Sequence, residues 1–485
     1  MLNQYQNKNY KSTHMGMGEI LAPLIDKLEK DREKYMQIIE TKMEDARDTF
    51  EPFQIGEIVL KKEELFENRY WIYNHRDQKF YLYENGFWQR KTSMDLTKSI
   101  RSILRKIKKS WSRTSNAKEV IEALKLILSD ERYPDLFDPG KSPDFKHINV
   151  KNGMLDWKSG GLKQHHKDYF SIFQLNIEYE PEASYDKWEE ALKSWLSDEE
   201  TILFLQEYIG YMLIPDTSFH KSVILYGEGS NGKSTFLKVI QKLFGDLNLA
   251  NVSLNEFSDP NSARWASFRL VDKLVNICSD VDPQCISKTG PLKTLIAGET
   301  SKAEEKYHTP FDFIPVCRFL FSSNELPRSK DKSDGWYRRL EFVEFPNSFS
   351  AEDENFDRFL DKKLQYELSG IFNWALKGLR RLYENNSFTI SSSMKRLKSQ
   401  YLLVNDPIRE FAKDNLLITQ NHTDDFVKTE KVYKKYNKWA KKNGFKKPMH
   451  KSAFSERSKK LGIEVEPKRF KGKTVRFYTG VKLKE

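Results

Sequence analysis

The stretch Gly227-Glu228-Gly229-Ser230-Asn231-Gly232-Lys233-Ser234 has the G-x-x-x-x-G-K-S spacing of a phosphate-binding loop. Its flanks decide the fold. Ser222-Val223-Ile224-Leu225-Tyr226 before it has strand character, and Thr235-Phe236-Leu237-Lys238-Val239-Ile240 after it is patterned as a helix. A strand that turns through glycines into a helix N-terminus aims backbone N–H groups and a favourable dipole at phosphate oxygens. Gly227 through Thr235 are therefore the expected nucleotide-binding residues. Lys233 would reach the terminal phosphates of ATP and Ser234 would hold Mg²⁺. The motif implies an α/β P-loop core.

Such a loop works with groups on neighbouring strand ends. The apolar run Leu274-Val275-Asn276-Ile277-Cys278 ends in Ser279-Asp280, with Asp282 two residues on. Asp280 is the expected metal-associated acid, and Asp282 shares in positioning water. A third strand, Val316 to Ser323, ends in Asn324, whose amide suits a γ-phosphate sensor. Next comes Gly335-Trp336-Tyr337-Arg338-Arg339 before another strand. Arg338 or Arg339 can serve as an arginine finger across a subunit boundary, or can sit in local ion pairs.

Charge is unevenly placed along the 485 residues. From Lys428 to Glu485 there are 20 Lys/Arg against 5 Asp/Glu, net +15, leaving 61 against 65, net −4, in the remainder. A basic end on a near-neutral body points to a polyanion, which beside a nucleotide site means nucleic acid. Mean hydropathy is −0.70, and neither a membrane-spanning run nor a signal-peptide core is evident. Three cysteines without CxxC spacing exclude a disulfide framework and a zinc ribbon, so the expected compartment is cytoplasmic.

The order of segments suggests five regions. Residues 1–135 form an α+β accessory or DNA-binding region, with a charged helix from Glu19 to Phe50 and aromatic strands around Tyr70–Tyr73 and Phe80–Trp88. Trp71, Phe80, Tyr83 and Trp88 fit a small sheet core better than base stacking. A basic patch follows at Lys98, Arg101, Arg105, Lys106, Lys108, Lys109 and Arg113. Residues 136–199 are a collar segment, 200–385 the ATPase, 386–423 a linker and helix, and 424–485 a basic module. The last reads helix, helix, then a hairpin with a basic tip at Phe470-Lys471-Gly472-Lys473, the order of a winged helix.

The series Gly227–Ser234, Asp280/Asp282, Asn324 and Arg338/Arg339 resembles the superfamily 3 helicases, and most of all the phage, plasmid and poxvirus-type primase-helicase group. Phe204-Leu205-Gln206-Glu207-Tyr208-Ile209-Gly210-Tyr211-Met212-Leu213 is similar to the helix preceding the phosphate loop in that group. Gly290-Pro291-Leu292-Lys293-Thr294-Leu295-Ile296-Ala297-Gly298-Glu299 and Phe321-Ser322-Ser323-Asn324-Glu325-Leu326-Pro327 resemble its later motifs. Lys302, Lys306 and Tyr307 fall where the family carries a DNA-contacting hairpin. The departure is Asp280, where many members have Glu. The resemblance implies an AAA+-like core and a ring, commonly a hexamer, with ATP between subunits. It also implies DNA gripped by Lys302 and Lys306, with Lys471 and Lys473 added by the C-terminal module. Replication of a phage, plasmid or mobile element, with an initiator or primase partner, is the implied setting.

Two alternatives stay open: a DNA-binding ATPase switch acting as initiator or loader, and a divergent priming domain in residues 1–180. Glu178-Tyr179-Glu180 offers acid-x-acid spacing, but no partner motif follows. His165-His166 are adjacent, so on a strand they point to opposite faces and share no metal with ease, which leaves Tyr169 without an activating site.

Overall fold

The computed structural model describes residues 50–62, 70–74, 78–129, 145–259, 262–279, 286, 288–306, 309–350, 352–353, 357–419, 425–443, 445, 447–470 and 472–484. The expected charged helix over Glu19 to Phe50 therefore lies outside them, apart from Phe50 itself. In the N-terminal region α1 (Pro52–Lys62), α2 (Ser93–Ile107) and α3 (Thr114–Ile127) accompany an antiparallel meander of β1 (Tyr70–Asn74), β2 (Lys79–Glu84) and β3 (Phe87–Lys91). Asn85 and Gly86 supply the two positive φ angles, 55° and 87°, that a tight hairpin turn requires. A capping box starts α2: the Thr92 hydroxyl accepts from the Asp95 N–H, and the Asp95 carboxylate accepts from the Thr92 N–H. Trp71, Phe80 and Trp88 are buried and Tyr83 is half-buried, so these aromatics build the small core rather than a stacking platform.

A second meander, β4 (His147–Val150), β5 (Gly153–Asp156) and β6 (Leu162–Lys163), leads through extended chain to α4 (Asp186–Trp195) and α5 (Glu199–Met212). The motor then runs β7 (Ser222–Tyr226), α6 (Lys233–Phe244), β8 (Leu249–Ala250), α7 (Ala263–Phe268), β9 (Val275–Cys278) and α8 (Gly290–Ile296). It continues with the hairpin β10 (Ser301–Ala303) and β11 (Phe311–Phe313), β12 (Arg318–Ser323), α9 (Asp334–Tyr337) and β13 (Leu340–Glu344). After these come α10 (Leu360–Leu364), α11 (Leu368–Asn385) and α12 (Ser392–Asn405). Five strands make one parallel sheet in the order β13-β7-β12-β9-β8.

A parallel sheet needs cover on both faces, which explains its near-continuous apolar strands. Val223, Leu225, Ile277, Leu320 and Val343 point into one core with α4, α5, α6 and α11. Ile224, Cys278, Phe319, Phe321 and Phe342 point into the other, with α7, α8 and α12. On the first face α5 and α11 cross backbone to backbone. A Cβ on Gly210 would lie 2.4 Å from the Ala375 carbonyl oxygen, and one on Gly378 would lie 2.1 Å from that of Gln206. The same core continues from Ile148 on β4 to Met394 on α12. No boundary between cores exists at 199/200: the expected collar segment and motor share their interior.

The C-terminal module comprises α13 (Pro407–Asn415), β14 (Leu416–Ile418), β15 (Phe426–Lys428), α14 (Thr429–Lys442), α15 (Lys451–Lys460), β16 (Glu464–Phe470), β17 (Lys473–Thr479) and β18 (Val481–Leu483). Strands pair as β15-β17-β16, with β14 against β18. Ile408, Phe411, Val432, Tyr436, Phe454 and Tyr478 form its core. Within the expected linker and helix over 386–423, the serine- and lysine-rich stretch from Ser391 to Ser399 is itself helical from Ser392 and packs on the motor. Leu397 and Tyr401 of α12 belong to the motor, α13 and β14 belong to the C-terminal module, and the two meet at buried Asp406. Arg457 of α15 grips both Asp406 oxygens and donates to the Lys332 carbonyl at 3.1 Å, tying module to motor.

Candidate active site

β7 ends at Tyr226 and α6 opens at Lys233, so the glycine loop bridges strand and helix as its pattern requires. Gly229 (φ 122°), Ser230 (φ 47°) and Gly232 (φ 89°) take left-handed conformations, the geometry that lets successive N–H groups converge into an anion-binding nest. Gly227 has no room for a side chain, since a Cβ there would stand 2.0 Å from Asn231 Nδ2. Lys233 is only 5% exposed. Its ammonium donates to Gly227 O at 2.6 Å, Asn231 Oδ1 at 2.9 Å and Asn324 Oδ1 at 3.3 Å. Asn231 in turn donates Nδ2 to Phe345 O at 3.1 Å.

Burial depresses the Lys233 pKa. All three of those acceptors are neutral oxygens, so a cation is held where solvent screens it poorly and its field remains available to an anionic ligand. Ser234 is exposed on the first turn of α6, beside the free N–H groups of a 12-residue helix. The donor set fits a polyphosphate, and the Ser234 hydroxyl fits a magnesium ligand. Glu228 and Ser230 are exposed and Thr235 is half-buried.

Asn324 reaches Lys233 because of register. Ser323 of β12 pairs with Tyr226 of β7, so the residue after each strand falls at the same sheet edge. β9 ends there too, with Cys278 opposite Phe321 of β12. Asp280 and Asp282 lie outside the described residues.

The arginine pair sits elsewhere. β13 starts with Leu340 opposite Ser222, the first residue of β7, so Arg338 and Arg339 lie at the far edge of the sheet, about 16 Å of strand from the loop. They split in role. Arg339 is 7% exposed and donates to Gly335 O at 2.6 Å. Its burial and the adjacent Arg338 lower its pKa, and its Nε is buried without a partner. Arg338 is exposed.

Lys302 and Lys306 do fall on a hairpin, β10–β11. Lys302 is exposed and pairs with Asp312 at 3.2 Å, while Lys306 stands 6.0 Å from the centroid of the partly exposed Trp265 ring. Tyr307 lies outside the described residues. Lys473 is exposed at the start of β17, and Lys471 also lies outside the described residues.

Some supports of the loop carry no sequence signal. A Cβ on Gly232 would come 2.5 Å from the Trp195 indole, which closes the back of the loop. The Phe349 N–H donates to Ser230 O at 2.8 Å, and Asn347 Nδ2 donates to Ser194 O at 2.6 Å. These contacts come from segments far away in sequence, which motif spacing cannot reveal. The residues weighed for other chemistry do not gather. His165 is bonded to Asn149 and Val150 O, His166 pairs with Asp168, and Glu178 and Glu180 are exposed on extended chain.

Three family models match in sequence order: "D5 N terminal like" over 63–197, a "Family of unknown function (DUF5906)" over 225–339 and "Poxvirus D5 protein-like" over 404–484. "Putative helicase L207/L206" of Acanthamoeba polyphaga mimivirus is 24% identical over 319 residues, covering 61% of this chain and 33% of its own. A protein of Invertebrate iridescent virus 3 with a similar name is 22% identical, covering 66% of this chain and 37% of its own. The apo structure of the NrS-1 C-terminal region matches with a TM-score of 0.53 at 14% identity, covering 89% of this chain and 100% of that one, a likeness of fold.

The D5-like models at both ends and the viral relatives make the chain similar to the phage and poxvirus-type primase-helicase group. The chain spans about a third of the length of the curated relatives it matches. The group's C-terminal model starts at 404, beside the Asp406 junction rather than at 424. Its N-terminal model ends at 197 and so takes in Trp195, the residue behind the phosphate loop. Among the described residues no helix is long and apolar enough to cross a membrane.

Proposed function

We propose that this chain is an ATP-hydrolysing DNA helicase with a superfamily 3, AAA+-like core, acting as a ring in replication of a viral or mobile genome. The observation that carries the reading is the 3.3 Å contact between Lys233 and Asn324 at one sheet edge. A loop lysine that only closed a turn would need no amide from a separate strand.

Mg²⁺, when bound with ATP, neutralises charge on the phosphates; Ser234 would hold it, with Asp280. Lys233 exchanges its neutral acceptors for phosphate oxygens and follows the charge that develops there. Asn324, released from Lys233, orients water at the terminal phosphate. Arg338 acts on a neighbouring subunit: its exposure and its distance from its own loop support action across an interface. Lys302 and Lys306 meet DNA from the hairpin. The order of α13, α14, α15 and the β16–β17 hairpin supports a winged helix with Lys473 near its tip, and Lys471 beside it in sequence.

The test is ATPase rate with and without single-stranded DNA, at a known oligomeric state. DNA should stimulate the parent, and Lys233→Ala should lose at least about 100-fold of turnover, the cost of removing one preorganised charge stabiliser. Hydrolysis indifferent to DNA would overturn the motor in favour of a nucleotide-switched loader.

A further inference from the structure

The accessory region carries a surface that neither the nucleotide site nor the C-terminal module uses. From Lys98 to Arg113 the chain has seven basic residues and no acid. Lys98, Arg101, Arg105, Lys108, Lys109 and Arg113 are all exposed, while Leu96, Ile100, Ile103 and Leu104 fill the core beneath. Lys98, Arg101 and Arg105 stand at helix-neighbour spacing and line one face of α2, and the next three continue it past the helix end.

Little around this stripe neutralises it. Among the described residues Arg101, Arg105, Lys109 and Arg113 have no carboxylate partner, Arg101 donates to Ser112 O at 3.0 Å, and Lys108 stands 5.3 Å from the Trp111 ring centroid. Lys98 feels Asp95, whose carboxylate is already engaged by Thr92 in the helix cap. Like charges at i, i+3 and i, i+4 destabilise a helix. A stripe that repels itself with so little counter-charge has its repulsion relieved by a polyanion.

Resting on the DNA-motor reading, we propose that this face of α2 grips the phosphate backbone of DNA as a contact separate from the hairpin and the C-terminal module. From Lys98 to Arg105 the helix rises about 10 Å, over which one strand presents about three phosphates. The grip is anchored to the motor. Lys79 pairs with Glu305 at 2.9 Å, just past β10 of the hairpin, and Arg90 pairs with Asp272 at 3.1 Å with its guanidinium over the Phe268 ring. DNA held on α2 is thereby held relative to the motor hairpin.

The experiment compares the full chain with R101E/R105E/K109E and with the milder R101Q/R105Q/K109Q, measuring affinity for labelled single-stranded and duplex DNA from 50 to 200 mM salt. In both variants the slope of log affinity against log salt should fall by about 2 for a single strand, or about 2.7 for duplex, as three phosphate contacts disappear. The form of DNA whose slope falls identifies what α2 holds. Affinity should drop about tenfold or more, with DNA-independent ATPase unchanged. An unchanged slope and affinity, in a parent that binds DNA, overturns the patch and turns it over to an acidic protein. A parent that binds neither form overturns the motor reading, and the patch with it.

Discussion

The phosphate loop and the C-terminal module handle cations in opposite ways. Lys233 is buried, fixed by three hydrogen bonds and backed by Trp195. In the module, the cations of α14, α15 and the β16–β17 hairpin are mostly exposed around a small core, and Arg457 is the exception, turned inward onto Asp406. One region needs a single charge at a single place. The other needs a field, to which many interchangeable charges contribute. Substitutions should therefore act all-or-none in the first and gradually in the second.

Asn324→Ala tests the rigid side beyond the lysine itself. Turnover should fall by up to about 100-fold with nucleotide affinity nearly retained, because positioning rather than binding is lost. Equal losses in both would return Asn324 to an ordinary strand end. Backbone packing gives the next contrast. Gly378→Ala drives a Cβ into the Gln206 carbonyl and should cost about 1–3 kcal/mol in thermal unfolding. Gly472→Ala, with φ 77° but open space around it, should cost only about 1–2 kcal/mol of local strain.

Acid should loosen the motor segment that carries Lys332, whose carbonyl Arg457 of the C-terminal module holds. Burial alone would raise the Asp331 pKa, but hydrogen bonds from Lys293, Thr289 and Ser333 bring it down to about 2. A carboxylate depressed in the folded state lends stability above its unfolded pKa and loses it as pH falls toward the folded one. The contribution is thus full above about pH 5 and disappears toward pH 2. Asp331→Asn should lower the melting temperature at neutral pH and flatten its decline over that window. A variant that melts like the parent at every pH would sever this link. Smallest of all, Lys473→Ala should reduce the salt slope for duplex by about 0.9 without abolishing binding.

The loop, the sensor strand and the C-terminal helix–helix–hairpin order were legible because each is local: period, punctuation and spacing carry them, whereas the β10–β11 hairpin was expected only from the family resemblance. Two boundaries were not legible. Ser391 to Ser399 reads as a polar linker, yet Ser391 caps α12 by accepting from the Met394 N–H, and Met394, Leu397 and Tyr401 are its buried face. A narrow apolar stripe among serines and lysines looks like solvent-exposed chain until its partner strand is known. The collar segment is not set apart by its packing: Trp188 of α4 lies against Phe236 of α6 and Trp374 of α11, far away in sequence. The arginine dipeptide gave no hint that one member is buried and the other exposed. The three priming and nicking candidates were weak as motifs, and their side chains do not gather.

The crossing of α5 and α11 has a mechanical consequence. With glycine on each helix and backbone against backbone, no layer of side chains lies between them to be compressed or sheared. Such a joint is stiff. α5 leads into the strand that carries the phosphate loop, and α11 follows the strand beside it. A displacement begun at the loop would therefore meet a rigid strut, with little elastic give at this joint to absorb it.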